Sequence, residues 1–336
     1  TFFSPSGYLI CSGYPLANVR YLPADLPGNA AKWVECIQPD IAVFVKYDLW
    51  PGYLKALEKR KIPSVLISAH WTPGGFLNSR NIPPTRSLLR KFSQIFLQQE
   101  NHLAYFRSKG FENLSVAGDT RIDRCLELPA ETEARLPSKL KELEPFDLVA
   151  GSTWEEDEIE LLHFVNVHKN VKFIIAPHEI DKTNLKDVKD EFPNSVFYSE
   201  LNNRQLITDN GQPNVLIIDN IGMLSRLYKY ATVTYVGGGY GADGVHNVLE
   251  PAVYGKPVVF GPVYEKFYEA VGLVNSGGAI SIDGGPVKLE TVLNGLLNDE
   301  TERKTRGEAA RQFVYDNTGA SKKIVQFIQE KRLLTN

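Results

Sequence analysis

The sequence predicts an α/β chain built from two successive Rossmann-like halves. Three observations carry this. Short β-branched apolar runs recur along the chain without the polar alternation of a one-sided sheet. Stretches with helical spacing separate them, which is the pattern of parallel strands covered on both faces. A polar segment bearing Pro129, Pro137 and Pro145 divides the series in two.

In the first half the strands are expected at Ile41–Val45, Ser64–Ser68, Gln94–Leu97 and Leu114–Ala117. Helical spacing covers Gly52–Lys59, Ser87–Phe92 and Asn101–Lys109, the last closed by Gly110. Thr1–Gly7 reads as a strand running into a turn. With no methionine ahead of it, an upstream segment is expected. Residues 127–144 read as a linker plus one helix. In the second half strands are expected at Phe146–Ala150, Val171–Ile175, Val196–Tyr198, Val215–Ile218, Val233–Val236, Lys256–Phe260 and Ala279–Ile282. Helices broken near Asn317–Gly319 close the chain. The expected domains are 1–135, lacking its first part, 136–318, and a terminal helix over 319–336 that packs back on the first domain. Two such halves joined by a linker suggest a GT-B architecture, two Rossmann-like domains facing across a cleft, with ligand at the carboxyl ends of the strands.

Composition narrows the function. The 336 residues carry a formal net charge of −3 and no basic tract, so nothing supports a nucleic-acid partner. The three cysteines are scattered, with no CxxC pair or Cys/His cluster, so no metal site or disulfide framework is expected. No apolar run reaches 18 residues. There is no Walker loop, HExxH or nucleophile elbow, and the first half has no GxGxxG.

The densest signal is Val236-Gly237-Gly238-Gly239-Tyr240-Gly241-Ala242-Asp243-Gly244-Val245-His246-Asn247-Val248-Leu249-Glu250-Pro251, a strand, a glycine-rich loop and a helix start. Glycines let backbone N–H groups approach an anion, and a helix N-terminus adds partial positive charge. His246 and Asn247 carry hydrogen-bond donors there, and Glu250 is placed to grip ribose hydroxyls; the competing reading is an ordinary loop and cap. After strand Phe146–Ala150, Gly151-Ser152-Thr153-Trp154-Glu155-Glu156-Asp157-Glu158 opens a helix with Ser152 or Thr153 as cap, a phosphate contact or a plain capping box. After the next strand, Pro177, His178 and Lys182 face the same end and are candidates to meet a nucleotide. In the first half Asp48 is a candidate acid at the cleft edge, or the N-cap ahead of Pro51. Arg121 either faces an anion across the cleft or pairs with Asp119 or Asp123.

Together these blocks resemble the Kdo transferases, the 3-deoxy-D-manno-octulosonic acid transferases of Gram-negative bacteria. The resemblance rests on Phe3-Ser4-Pro5-Ser6-Gly7, Tyr21-Leu22-Pro23-Ala24-Asp25-Leu26-Pro27, Asp48-Leu49-Trp50-Pro51, Gly118-Asp119-Thr120-Arg121, Ser152-Thr153-Trp154-Glu155 and His246-Asn247-Val248-Leu249-Glu250-Pro251, in order along the chain. Tyr47–Trp50 and Pro177-His178-Glu179 look like the Bacteroidetes branch. The resemblance implies transfer of Kdo from CMP-Kdo to a lipid A precursor, lipid IVA, in lipopolysaccharide biosynthesis. It implies inversion at the anomeric carbon, no catalytic metal or cofactor, and work at the cytoplasmic face of the inner membrane. It also implies a general-base glutamate, expected upstream of Thr1, and a donor site drawn from Arg121, Ser152, Thr153, Pro177, His178, Lys182, Gly237, Gly238, Gly239, His246, Asn247 and Glu250. The family commonly has Glu where this chain has Asp48, and Pro-Arg-His-Pro-Glu-Arg where it has Pro177–Lys182. Two other readings stay open: a GT-B transferase or epimerase using a UDP-sugar, and a catalytically silent nucleotide-sugar-binding fragment.

Overall fold

The structure is a computed structural model, and it describes residues 1–3, 7, 8, 11–70, 83–135, 137, 140, 145–201 and 214–334. Ser4, Pro5 and Ser6 of the opening motif lie outside the described residues. The chain forms two compact units, residues 1–120 with 319–336, and residues 121–318.

The first unit holds four parallel strands in the order β1(Ala42–Val45), β2(Ser64–Ala69), β3(Gln94–Leu97), β4(Leu114–Val116). Helices Pro27–Ile37 and Pro51–Lys59 cover one face, where Ala30, Val34, Tyr53 and Leu57 pack with Ala42 and Phe44. On the other face, helix Ala320–Glu330 sets Ala320 and Ile324 against Val65, Phe96 and Ala117. Phe327 meets Phe96 edge to face at 5.3 Å. Each large apolar side chain contributes roughly 1.5–3 kcal/mol when fully buried, and this seam fixes helix Ala320–Glu330 to the unit. The positive φ of Gly319, +97°, makes the break between the last two helices without side-chain strain.

Among the described opening residues Phe2 makes a parallel bridge with Tyr21. The Tyr21–Pro27 block has a clear structural task. Both oxygens of Asp25 accept backbone N–H bonds from Gly52 and Tyr53 at 3.0 and 3.1 Å, capping helix Pro51–Lys59 from 27 residues away. The Tyr53 hydroxyl donates to the Pro23 carbonyl at 2.8 Å. Asp48 is therefore not the cap of this helix; Trp50 occupies the N-cap position, with no side-chain bond of its own.

The second unit carries seven parallel strands in the order β11-β10-β9-β5-β6-β8-β7, where β5 is Phe146–Thr153, β6 Phe173–Pro177, β7 Ser195–Phe197, β8 Val215–Ile217, β9 Ala231–Val236, β10 Val258–Phe260 and β11 Ala279–Ser281. Alternate residues feed two cores: Val149, Ile174, Val236 and Phe260 on one face, Leu148, Ala150, Ile175 and Tyr235 on the other. That two-sided burial is why the strands read as unbroken apolar runs.

The boundary between units falls at Thr120/Arg121, not at 135/136 as the change in composition suggested. Helices Thr120–Cys125 and Leu128–Arg135 bury Ile122, Cys125 and Leu128 in the same core as Phe146 and Val149. The buried Thr132 hydroxyl bonds the Tyr254 hydroxyl at 2.6 Å. The polar surface of this stretch is the solvent side of helices already docked on the second core.

Candidate functional site

In the second unit the chain runs from β5 to β6, then to β7 at the sheet edge and back to β8 between them, before it lays β9, β10 and β11 on the other side of β5. β5 and β9 are neighbours, and the sheet order reverses between them. In open α/β sheets the crevice outside the carboxyl ends at such a reversal is where ligands bind. The residues found there are Ser152, Thr153, Pro177, His178, the Gly237–Gly239 run, His246, Asn247 and Glu250, as the sequence proposed.

β5 is longer than predicted and continues through Thr153, so neither Ser152 nor Thr153 caps the following helix. That helix, Glu155–Val167, starts after Trp154, whose backbone N–H donates to Asp157 at 3.0 Å. Ser152 takes the left-handed conformation, φ +54°, where the pairing of β5 with β6 shifts register. A non-glycine residue held there carries strain on the order of 1 kcal/mol or more, as ligand sites often do.

The glycine run serves close packing more than anion binding. The N–H of Gly237 donates to the Gly151 carbonyl at 2.9 Å, and that of Gly238 to the Asp157 carboxylate at 2.7 Å. A Cβ on Gly237 would stand 2.3 Å from the Ser152 carbonyl oxygen, and one on Gly239 2.5 Å from the Gly261 nitrogen. Gly238 also has φ +87°. Three backbones meet here at distances only glycine permits, and the predicted role of Gly237 and Gly238 as amide donors to a ligand is corrected accordingly.

Above this floor lies an aromatic cluster. The Trp154 indole Nε1–H donates to His246 Nε2 at 2.8 Å, with the rings inclined by only 20°. His178 lies over both, 4.6 Å from Trp154 and 4.3 Å from His246 between centroids. Burial, then the neighbouring His178, lower the pKa of His246 from 6.5 to about 4. His246 is thus neutral at pH 7. Because indole can only donate, His246 Nε2 must accept, which leaves the proton on Nδ1. The site presents a neutral imidazole with a fixed N–H donor, not an imidazolium.

Asn247 accepts the Leu249 N–H at 3.2 Å, closing a turn just ahead of helix Leu249–Val253, and donates to Glu250 at 3.0 Å, orienting its carboxylate. Burial raises Glu250 to about 6 against the lowering effect of that hydrogen bond. Thr153 donates its hydroxyl to Glu158 at 2.7 Å, and burial lifts Glu158 to about 7. Pro177 is buried at the end of β6, and the His178 N–H donates to the Thr153 carbonyl at 2.9 Å.

Three further predicted residues have other surroundings. Lys182 is exposed in the first turn of helix Lys182–Glu191, whose cap is Asp181. Arg121 belongs to the second unit, not the first, and pairs with the buried Glu269 at 2.7 Å. Asp48, in the first unit, lines an apolar cavity of about 340 Å³ with Val43, Val45, Trp50 and Tyr53, and partial desolvation raises its carboxyl above the usual range. Sequence reasoning missed Trp154, Asp157 and Tyr235 as site residues. An indole directly after a strand end, followed three residues later by an acid, was the available signal for the first two. Among the described residues no group of three or more His, Cys, Asp or Glu is placed to hold a metal ion, and no helix is long and apolar enough to cross a membrane.

Comparison with known proteins gives this geometry its context. Residues 1–124 match a family model described as 3-deoxy-D-manno-octulosonic-acid transferase (kdotransferase). A 3-deoxy-D-manno-octulosonic acid transferase of Haemophilus influenzae is 25% identical over 319 residues, covering 92% of this chain and 74% of that protein. Its Aquifex aeolicus namesake is 25% identical over 326 residues, covering 93% and 82%. Among solved structures, the UDP-GlcNAc 2-epimerase of Neisseria meningitidis superposes with a TM-score of 0.64 at 16% identity, over 90% of this chain and 80% of that one, a likeness of fold. The two parallel-sheet units are those of a GT-B protein. A transferase family model on residues 1–124, relatives aligned through both units, and a switch-point crevice on the second agree: along most of its length the chain is similar to the 3-deoxy-D-manno-octulosonic-acid (Kdo) transferases, which are glycosyltransferases.

Proposed function

We propose that the chain transfers a Kdo residue from CMP-Kdo to a lipid A precursor at the cytoplasmic face of the inner membrane, inverting the anomeric carbon and using no metal ion. The observation that carries this reading is the alignment of Kdo transferases along more than nine-tenths of the chain, the switch-point crevice of the second unit included. In the reaction an acceptor hydroxyl oxygen forms a bond to the anomeric carbon. The bond from that carbon to the CMP phosphate breaks with its electron pair going to the phosphate, and a carboxylate on the acceptor side takes the hydroxyl proton. Asp48 is the first unit's candidate for supporting that proton transfer.

The second unit's residues suit the donor. The Nδ1–H of His246 is a neutral, fixed donor for a phosphate or carboxylate oxygen. Glu250, oriented by Asn247, is an acceptor for ribose hydroxyls. His178, stacked over Trp154 and His246, offers its exposed face to the nucleoside.

The test is the melting temperature of the chain with CMP, UDP or AMP, beside a His246→Ala variant. A ligand specific to the native state raises it with the logarithm of its excess over the dissociation constant. A shift with CMP alone, lost in the variant, is expected, followed by Kdo transfer from CMP-Kdo to lipid IVA. A shift with UDP in place of CMP would move the assignment to UDP-sugars, and binding without transfer would leave a nucleotide-sugar-binding protein.

A further inference from the structure

Asp157 is fully buried, yet among the described contacts it meets three donors from three different parts of the fold. One oxygen accepts the Gly238 N–H at 2.7 Å and the Trp154 N–H at 3.0 Å; the other accepts the Tyr235 hydroxyl at 2.7 Å. These donors belong to the glycine turn, the start of helix Glu155–Val167, and β9. Asp157 itself stands in the first turn of that helix, where the helix dipole favours a negative charge. Burial raises its pKa, and the three hydrogen bonds oppose that rise.

A plain helix cap needs only the bond to Trp154. The other two reach across the sheet. Trp154 carries the indole that donates to His246, and Gly238 packs beneath the same imidazole: a Cβ on Gly238 would stand 2.8 Å from His246 Cδ2. The His246 N–H in turn donates to the Gly237 carbonyl at 3.0 Å. Both supports of the His246 ring, the indole edge and the glycine turn, therefore converge on one carboxylate.

We infer that Asp157 is a positioning residue of the donor site: by joining Trp154, Gly238 and Tyr235 it sets the place of the His246 ring and keeps its proton on Nδ1. For donor binding this rests on the reading of the crevice as the CMP-sugar site; for the histidine tautomer it does not.

The experiment uses the whole chain and three substitutions. Asp157→Asn keeps an oxygen for the Gly238 and Trp154 N–H groups, and the Tyr235 hydroxyl can turn to accept from the amide nitrogen. Asp157→Glu keeps a carboxylate able to cap the helix, as glutamate does at this position in capping boxes, but is one methylene too long to hold Gly238 as well. Asp157→Ala keeps neither. The readouts are the side-chain nitrogen-15 spectrum of His246, assigned against His246→Gln, and the dissociation constant for CMP. The wild type and Asp157→Asn should show Nδ1 protonated and Nε2 accepting, with CMP affinities within about threefold of each other. Asp157→Glu should stay folded yet show a mixture of tautomers, with CMP bound about tenfold more weakly. Asp157→Ala should match or exceed that loss. An unchanged His246 spectrum in Asp157→Glu, or equal damage from Asn and Glu, would overturn the inference. If the wild type binds no CMP the donor-site reading fails, and the nitrogen-15 spectra alone decide the role of Asp157.

Discussion

Replacing Glu158 by glutamine should make the second unit more stable at pH 8 and leave it unchanged at pH 4. Glu158 is 3% exposed and accepts the Thr153 hydroxyl at 2.7 Å. Its pKa rises from 4.5 to about 7, chiefly because burial penalises the charge, with Glu191, Asp157 and Glu155 adding to the rise. The sign follows from proton linkage. Below 4.5 the carboxyl is protonated in the folded and unfolded chain alike, and its ionisation costs nothing. Between 4.5 and about 7 the unfolded chain releases the proton while the folded one holds it, so stability falls as pH rises. Above about 7 the loss is complete. At about 1.4 kcal/mol per pH unit, the interval sets a ceiling of about 3 kcal/mol. Glutamine keeps the shape and an oxygen for Thr153 without the charge. Hydrogen exchange of the β5 and β9 amides reads the opening of this unit separately from the first. Glu158→Gln should gain about 1–3 kcal/mol at pH 8, less at pH 6, and nothing at pH 4. His246, lowered to about 4, pulls stability the other way by favouring the fold above pH 6.5, but it is common to both proteins and cancels in the difference. A difference that does not change with pH, or a variant weaker at pH 8, would refute this account of Glu158.

Three further outcomes follow from the geometry. Gly237→Ala, which drives a Cβ to 2.3 Å from the Ser152 carbonyl, should cost more than about 2 kcal/mol and lower the melting temperature sharply. Arg121→Ala leaves Glu269, whose side chain is 4% exposed, without its cation, and should cost about 2–3 kcal/mol in chemical denaturation; adding Glu269→Gln should recover most of it, because the damage is the stranded charge. CMP affinity should strengthen as pH rises through about 6, because ribose hydroxyls donating to Glu250 favour its ionised form, and titration calorimetry of Glu250→Gln should lose that part of the slope.

The sheets were legible in the sequence because most of their strands are buried on both faces, and eleven of the expected runs are strands among the described residues, with ends displaced by up to three residues. The largest displacement, at β5, has a local cause. Gly151, Ser152 and Thr153 look like cap residues, but pairing with β6 and β9 holds them in the sheet, so tertiary contacts override the capping preference. The members of the crevice were legible as strand-end motifs. Their interactions were not, since nothing linear tells that the indole of Trp154 meets a histidine 92 residues away, or that the Gly238 amide is taken by Asp157. The pairing of Arg121 reads as local in the sequence, with Asp119 or Asp123 as the alternatives to an anion, for the same reason: its partner Glu269 is 148 residues distant.

On the proposed reading of the crevice as the donor site, an anion would bind beside acidic side chains. Asp157, Glu158 and Glu250 would repel a phosphate if all three were ionised and open to it. Asp157 and Glu158 are instead buried and Glu250 half-buried, and each is given donors: three for Asp157, a hydroxyl for Glu158, an amide for Glu250. The raised values of Glu158 and Glu250, about 7 and about 6, keep part of their population neutral near pH 7. The neutral His246 completes the same logic. An imidazolium there would add attraction but lose the indole bond, since Nε2 would no longer accept, and the ring's orientation would go with it. The arrangement trades charge for direction: a single N–H on Nδ1, held by an indole, over glycines packed too closely to shift. For an enzyme that must align one anomeric carbon with one hydroxyl, a fixed donor of modest strength serves better than a strong mobile charge.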